Sequence, residues 1–253
     1  MIISKKSYKS KFEENASWQI NILNKSIAQY ENSLEEQTKL YKYILSTKQF
    51  GLMQPLALKV FANIIHKHLK KVVKPNQQGK YTMFTIVCGY NFGKDKWNMN
   101  YEKLQNRVKK LLKGYDYIAT VALDEFPREK YLGNGTLMSW HVHGIFFKKP
   151  SRWHIGKINK RIKQKGHKII PLKNASFSQI IDCIYYAFKG PLGGKVLTTD
   201  KNGKERFRHV KLPLSSYYEN LIKLKDYKIY DFMFAGGKGK KVLNKILKEV
   251  GHD

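Results

Sequence analysis

The chain has 253 residues, 42% of them apolar, enough for a sizeable core and too many for a disordered tract. Lys and Arg number 48 against 19 Asp and Glu, a formal charge of +29, which calls for a polyanionic partner: nucleic acid or an anionic membrane. Two cysteines, Cys88 and Cys183, exclude a disulfide framework and a cysteine zinc site.

No apolar run approaches the roughly 20 residues that span a bilayer. The opening "MIISKKSYKSKFEENASW" lacks the apolar block of a signal peptide. The basic residues are spread along the chain and are not gathered on one amphipathic helix, which disfavours a membrane-surface role. The expectation is a cytoplasmic protein that binds nucleic acid.

Residues 1–75 read as a helical N-terminal extension. Ile20, Leu23, Ile27, Tyr30, Leu34, Tyr41 and Ile44 recur at three- and four-residue steps, with a polar gap at Gln37. Such a stripe packs on the chain's own body or on a second copy; the first is the expectation, and a homo-oligomer through these helices is the alternative. "PLALKVFANIIHKHLKKVV" continues the helical pattern and stops at "KPNQQGK". Its His66 and His68 lie about 200° apart around a helix and cannot share an ion.

From Tyr81 the texture changes, and residues 76–253 read as a second unit. "YTMFTIVCGY" is β-branched and aromatic and predicts a strand. "NYEKLQNRVKKLLKGY" predicts a basic amphipathic helix, "DYIATVALDEF" a second strand, "PREKYLGNGTL" a loop, and "MSWHVHGIFF" a third strand. The order β-α-β-loop-β makes the last two strands an antiparallel hairpin.

Nine Lys or Arg and no acid fill residues 148–168, directly after that hairpin. Lys148, Lys149, Arg152, Lys160 and Arg161, with the aromatic Trp153, form a candidate phosphate-tracking surface. "SFSQIIDCIYYAFKG" predicts a helix with Ser176 and Gln179 as a capping box and Gly190 at its end. The tail from about 191 carries the glycine-rich joints "GPLGGK" and "AGGKGKK" and a last short helix. Neither joint has Walker A spacing.

On a strand, His141 and His143 point to the same face, and two imidazoles there can converge on one divalent ion. The neighbouring strand offers Asp124 and Glu125, and hairpin pairing puts one of them beside the histidines. Two imidazoles, a carboxylate and open positions suit Mg²⁺ or Mn²⁺ handling phosphate oxygens. Tyr185 and Tyr186 both lie within one helical turn of Lys189, and a phenoxide near a metal and a lysine can attack a phosphodiester.

Together these pieces resemble the HUH endonucleases, in particular the replication-initiator (Rep) type of rolling-circle plasmids and phages. The resemblance covers about residues 81–190. "MFTIV", with Thr85, resembles the family's first motif, "HVHGIFF" the second, and "YAFK", Tyr186 to Lys189, the third. "LDEFPREK" resembles the segment that supplies an acidic third ligand, which by that match is Glu125. Motif spacing selects Tyr186 as nucleophile, whereas Tyr185 is the closer helical neighbour of Lys189. The resemblance implies an α+β fold with a central, about five-stranded antiparallel sheet and flanking helices. It implies a metal-dependent nick in single-stranded or hairpin DNA at a replication origin, through a covalent 5′-phosphotyrosine, with a host helicase as a candidate partner. A small single-strand transposase with the same chemistry, and a non-catalytic nucleic-acid-binding protein, are the alternatives.

Overall fold

The structure is a computed structural model, and it describes residues 8–92, 97, 100–127, 136–163, 173–188, 190, 193–199, 203 and 205–252. Among these residues the chain is α+β, with eight helices and one mixed sheet of seven strands. The helices are α1 (Tyr8–Tyr30), α2 (Leu34–Leu45), α3 (Pro55–Leu69), α4 (Tyr101–Leu111), α5 (Arg152–Lys163), α6 (Ile180–Ala187), α7 (Leu214–Leu224) and α8 (Gly239–Glu249). The strands are β1 (Tyr81–Phe92), β2 (Tyr117–Pro127), β3 (Thr136–Phe146), β4 (Lys173–Phe177), β5 (Gly193–Thr199), β6 (Glu205–Val210) and β7 (Met233–Gly236).

The sheet runs β4-β1-β3-β2-β5-β6, with β7 pairing the other half of β2. Five strands, β4, β1, β3, β2 and β7, are joined antiparallel. The expectation of a wholly antiparallel sheet is corrected at β5, which runs parallel to β2 through Asp124 and Glu125 opposite Gly193 and Gly194. A parallel neighbour needs a long crossover, and here β3, α5, β4 and α6 intervene between β2 and β5.

Alternation sorts the strand residues onto two apolar cores. Phe84, Ile86, Val121, Leu123, Trp140 and Val142 face one side and pack with α4 and α7. Met83, Ile118 and Ile145 face the other and pack with α3, α6 and α8. β3 is the central strand, and Gly144 lets β1 come close to it: a Cβ there would sit 2.2 Å from the Phe84 ring. Phe84 in turn packs against Phe146 with 4.5 Å between ring centroids and the rings tilted by 38°. This packing locks the register in which Thr85 lies opposite His143.

The helices of the first 75 residues share the core of the sheet. Leu23, Ile27, Leu40 and Ile44 are buried in the same cluster as Trp140 and Tyr217, and α3 fills the other cluster with Phe61 and Ile65. Each such side chain, fully buried, contributes about 1.5–3 kcal/mol. Ser26 Oγ donates to the Leu214 carbonyl at 2.9 Å, a further tie to α7. The stripe packs on its own body at Leu23, Ile27, Leu40 and Ile44, whereas its Tyr30 and Leu34 are exposed. The stripe is broken at residues 31–33 and not at Gln37: Ser33 caps α2, accepting from the Glu36 N–H at 3.3 Å.

α6 is shorter than expected. It begins at Ile180, and Gln179 is its N-cap without a side-chain bond. Ser176, assigned to a capping box from spacing, lies instead in β4, opposite Thr82. The expected loop over 127–137 lies mostly outside the described residues.

Candidate functional site

The site is built on three adjacent strands. Antiparallel partners project to the same face, so Thr85 of β1, His143 and His141 of β3, and Thr120, Ala122 and Asp124 of β2 share one face. Glu125 pairs with Met138 and projects to the opposite face. The resemblance selected Glu125 as third ligand; the register puts Asp124, and not Glu125, on the histidine face. Asp124 Oδ2 lies 3.4 Å from His141 Nε2, both groups almost fully buried. Glu125 is also buried, with Oε2 accepting from Asn220 Nδ2 of α7 at 3.1 Å.

The two imidazoles are held by separate anchors. His141 Nδ1 lies 3.1 Å from the Ser139 carbonyl, which can only accept, so Nδ1 carries the hydrogen and Nε2 is bare in the neutral ring. His143 Nδ1 lies 2.9 Å from Thr85 Oγ1, and its Nε2 faces His141 Nε2 at 2.9 Å. A neutral chain of donors closes this network: Thr85 to His143, His143 to His141, His141 to Ser139. The Thr85 oxygen can equally accept from Nδ1–H, which leaves both Nε2 lone pairs aimed at one point.

That donor set suits a divalent cation. Two ligands about 2.1 Å from one ion at right angles stand about 3.0 Å apart, which is the Nε2–Nε2 separation found here within 0.1 Å. Among the described residues no group of three or more His, Cys, Asp or Glu side chains is placed to hold a metal ion. The candidate set is therefore a tight histidine pair with one carboxylate offset toward His141.

The two tyrosines part company. Tyr186 is partly buried, and its ring stands edge-on to His143 with 5.2 Å between centroids, and 6.0 Å from Phe177. Tyr185 is buried on the other side of α6, where its hydroxyl donates to Asn63 Oδ1 of α3 at 3.0 Å. The rotation of about 100° per residue in a helix sends Tyr185 into the core, away from the histidines. Lys189 lies outside the described residues. Asp182, buried and one helical turn before Tyr186, shares its side of α6. The sequence reading passed over it, although the four-residue spacing was there to be seen.

The basic run folds as α5, which was not predicted. Lys148, Lys149, Arg152, Trp153 and Lys160 are all exposed on or before it; the side chain of Arg161 lies outside the described residues. None of them is on the histidine face of β3. His68, read as unable to share an ion with His66, instead meets Glu249 at 2.8 Å beside Lys67. Both partners hold the Glu249 carboxyl below the usual range. Among the described residues no helix is long and apolar enough to cross a membrane.

Comparison with protein-family models, with characterised proteins and with solved structures finds no match for this chain.

Proposed function

We propose that the chain is an HUH-type endonuclease of the replication-initiator kind. It nicks and rejoins single-stranded DNA at an origin through a 5′-phosphotyrosine on Tyr186 and so starts rolling-circle replication of a plasmid or phage. The observation that carries the reading is the convergence of three motifs distant in sequence: Tyr186 stands against His143, whose Nδ1 meets Thr85 Oγ1 and whose Nε2 faces that of His141. The α+β fold with its antiparallel core is compatible with this family.

His141, His143 and Asp124 would hold the cation, Mg²⁺ or Mn²⁺, which when bound polarises the scissile phosphate. The chain's own groups do the rest. Tyr186 supplies the phenolic oxygen; its bond to phosphorus forms as the bond to the 3′ oxygen breaks, and the phenolic proton is matched by one taken up at the leaving 3′ hydroxyl. Asp182, on the same side of α6, offers a carboxylate for that proton. Thr85 and the Ser139 carbonyl orient the two imidazoles. One phosphodiester-like bond replaces another, so rejoining is the reverse attack by a 3′ hydroxyl and needs no ATP.

A non-catalytic nucleic-acid-binding protein is the second reading, and one observation favours it: the neutral hydrogen-bond chain from Thr85 to Ser139 is complete without an ion. The two are separated by incubating the protein with labelled single-stranded DNA pools and Mn²⁺ and looking for a covalent adduct on a denaturing gel. The proposal requires an adduct in wild type and Tyr185→Phe and none in Tyr186→Phe or His143→Ala. Tight DNA binding with no adduct from any pool, unchanged by the substitutions, selects the binding protein.

A further inference from the structure

The basic run that follows β3 builds a groove far from the histidines. Its walls are the 75–78 loop after α3, the 114–116 turn before β2, and residues 148–152 with His154; its volume is about 800 Å³. Lys148 is five residues beyond His143, roughly 17 Å at 3.3 Å per residue. The groove straddles the end of the sheet, because its loop wall follows α3 of one core while Ile155 and Ile158 seat α5 on the other.

The lining is built for a polyanion with flat, unpaired bases. Lys148, Lys149 and Arg152 are exposed on one wall, and Gln77 and Gln78 on the other. Asp116, the acid among them, is engaged: its Oδ1 accepts from the Lys238 N–H at 2.8 Å, before α8. The loop wall is braced by Asn76, whose Oδ1 accepts from the N–H groups of Gln78 and Lys80 at 2.9 and 3.0 Å. Trp153 does not line the groove, but its ring stands edge-on to the lining residue His154 with 4.8 Å between centroids, and it is 62% exposed while α5 turns Ile158 inward. The Lys157 ammonium stands 3.6 Å from the centre of the indole. An exposed indole beside a cation offers one surface for base stacking and one charge for the adjoining phosphate. An acidic peptide would satisfy the cations but make no use of the exposed indole, and a concave groove does not fit a lipid surface.

We infer that this groove is a second DNA site, holding single-stranded DNA that flanks the reactive centre. One unpaired base stacks on Trp153, and neighbouring phosphates rest on Lys148, Lys149 and Arg152. Its place beside a scissile phosphate rests on the nicking reading above; its binding chemistry does not.

The test is anisotropy titration of full-length protein with oligo(dT) and with an abasic oligonucleotide of equal length, over a series of salt concentrations. Stacking is worth about 1–3 kcal/mol per base, so Trp153→Ala is expected to lose roughly 5- to 150-fold in affinity for oligo(dT). The same variant should bind the abasic strand like wild type, and Trp153→Phe should retain most of the preference. Replacing Lys148, Lys149 and Arg152 together by Gln should flatten the slope of log affinity against log salt by about 2, at about 0.7 per phosphate. Unchanged oligo(dT) affinity in Trp153→Ala together with an unchanged salt slope in the triple variant overturns the inference. Failure of every adduct assay with the Trp153-dependent preference intact removes the nicking reading and leaves the groove standing. Adduct formation with neither a Trp153 effect nor a change of salt slope in the triple variant does the reverse.

Discussion

Glu125→Gln separates the two acids of β2, because the register gives them opposite tasks. Glu125 is fully buried on the side away from the histidines. Its Oε2 meets Asn220 Nδ2, while Glu125 Oε1 and Asn220 Oδ1 are buried with no hydrogen-bond partner. Each of these two atoms is one bond angle from the existing contact, so an amide at position 125 can keep the first bond and donate to Asn220 Oδ1. A net gain of one hydrogen bond is worth about 1 kcal/mol. For a chain of this size that raises the Tm by roughly 2–4 °C. Thermal unfolding followed by circular dichroism reads the stability, and calorimetric titration with Mn²⁺ reads the site. The variant is expected to bind Mn²⁺ like wild type, whereas Asp124→Asn should weaken it by at least about tenfold, the loss seen when even an outer partner of a metal ligand is removed. A destabilised Glu125→Gln that has lost Mn²⁺ binding, with Asp124→Asn unaffected, would refute the register argument.

Tyr185→Phe should cost about 0.5–1.5 kcal/mol, the bond to Asn63, and still form the DNA adduct; chemical denaturation and the gel assay read the two effects. Thr85→Val keeps the strand but removes the oxygen that orients His143, so Mn²⁺ affinity should fall about 10- to 100-fold in a protein of near-native Tm. Burial, with a smaller push from Asp182, raises the Cys183 thiol to about 12. At pH 8, in a Cys88→Ser background, it should therefore resist iodoacetamide until the chain is unfolded. By the same shift the unfolded thiol ionises near pH 9 and the folded one does not, so its contribution to stability is lost as pH climbs from about 9 toward 12.

The parts that were legible in the sequence are those whose period is unambiguous. The three strands bearing Thr85, Asp124 and the histidines alternate or run apolar, and the helix from Tyr101 has a capping Asn100 and a clear basic face. Motif spacing selected Tyr186, and the structure separates the two tyrosines where helical phase alone left them open: Tyr186 stands against His143, and Tyr185 is claimed by Asn63. The choice between Asp124 and Glu125 was not legible, because adjacent residues on a strand differ only in face, and face depends on a register fixed elsewhere by Phe84 against Gly144. β5 and β6 were missed because charged residues such as Lys195, Arg206 and Arg208 interrupt their apolar positions. α5 was missed because nine cations in 21 residues read as composition, although Ile155 and Ile158 carry the helical spacing that buries it. That the N-terminal helices pack on the body was expected, but the contacts that join them to the sheet core were not legible, since they link residues such as Trp18 and Tyr217, almost 200 apart.

The central claim is that Tyr186 attacks a DNA phosphate beside the His141–His143 pair. It is tested most directly by digesting the covalent complex formed with single-stranded DNA and Mn²⁺ and mapping the nucleotide-bearing peptide by mass spectrometry. The account predicts a 5′-phosphonucleotide on Tyr186, absent when Mn²⁺ is chelated before mixing. A nucleotide on Tyr185 or any other residue, or an adduct that forms undiminished in His141→Ala/His143→Ala, would contradict it.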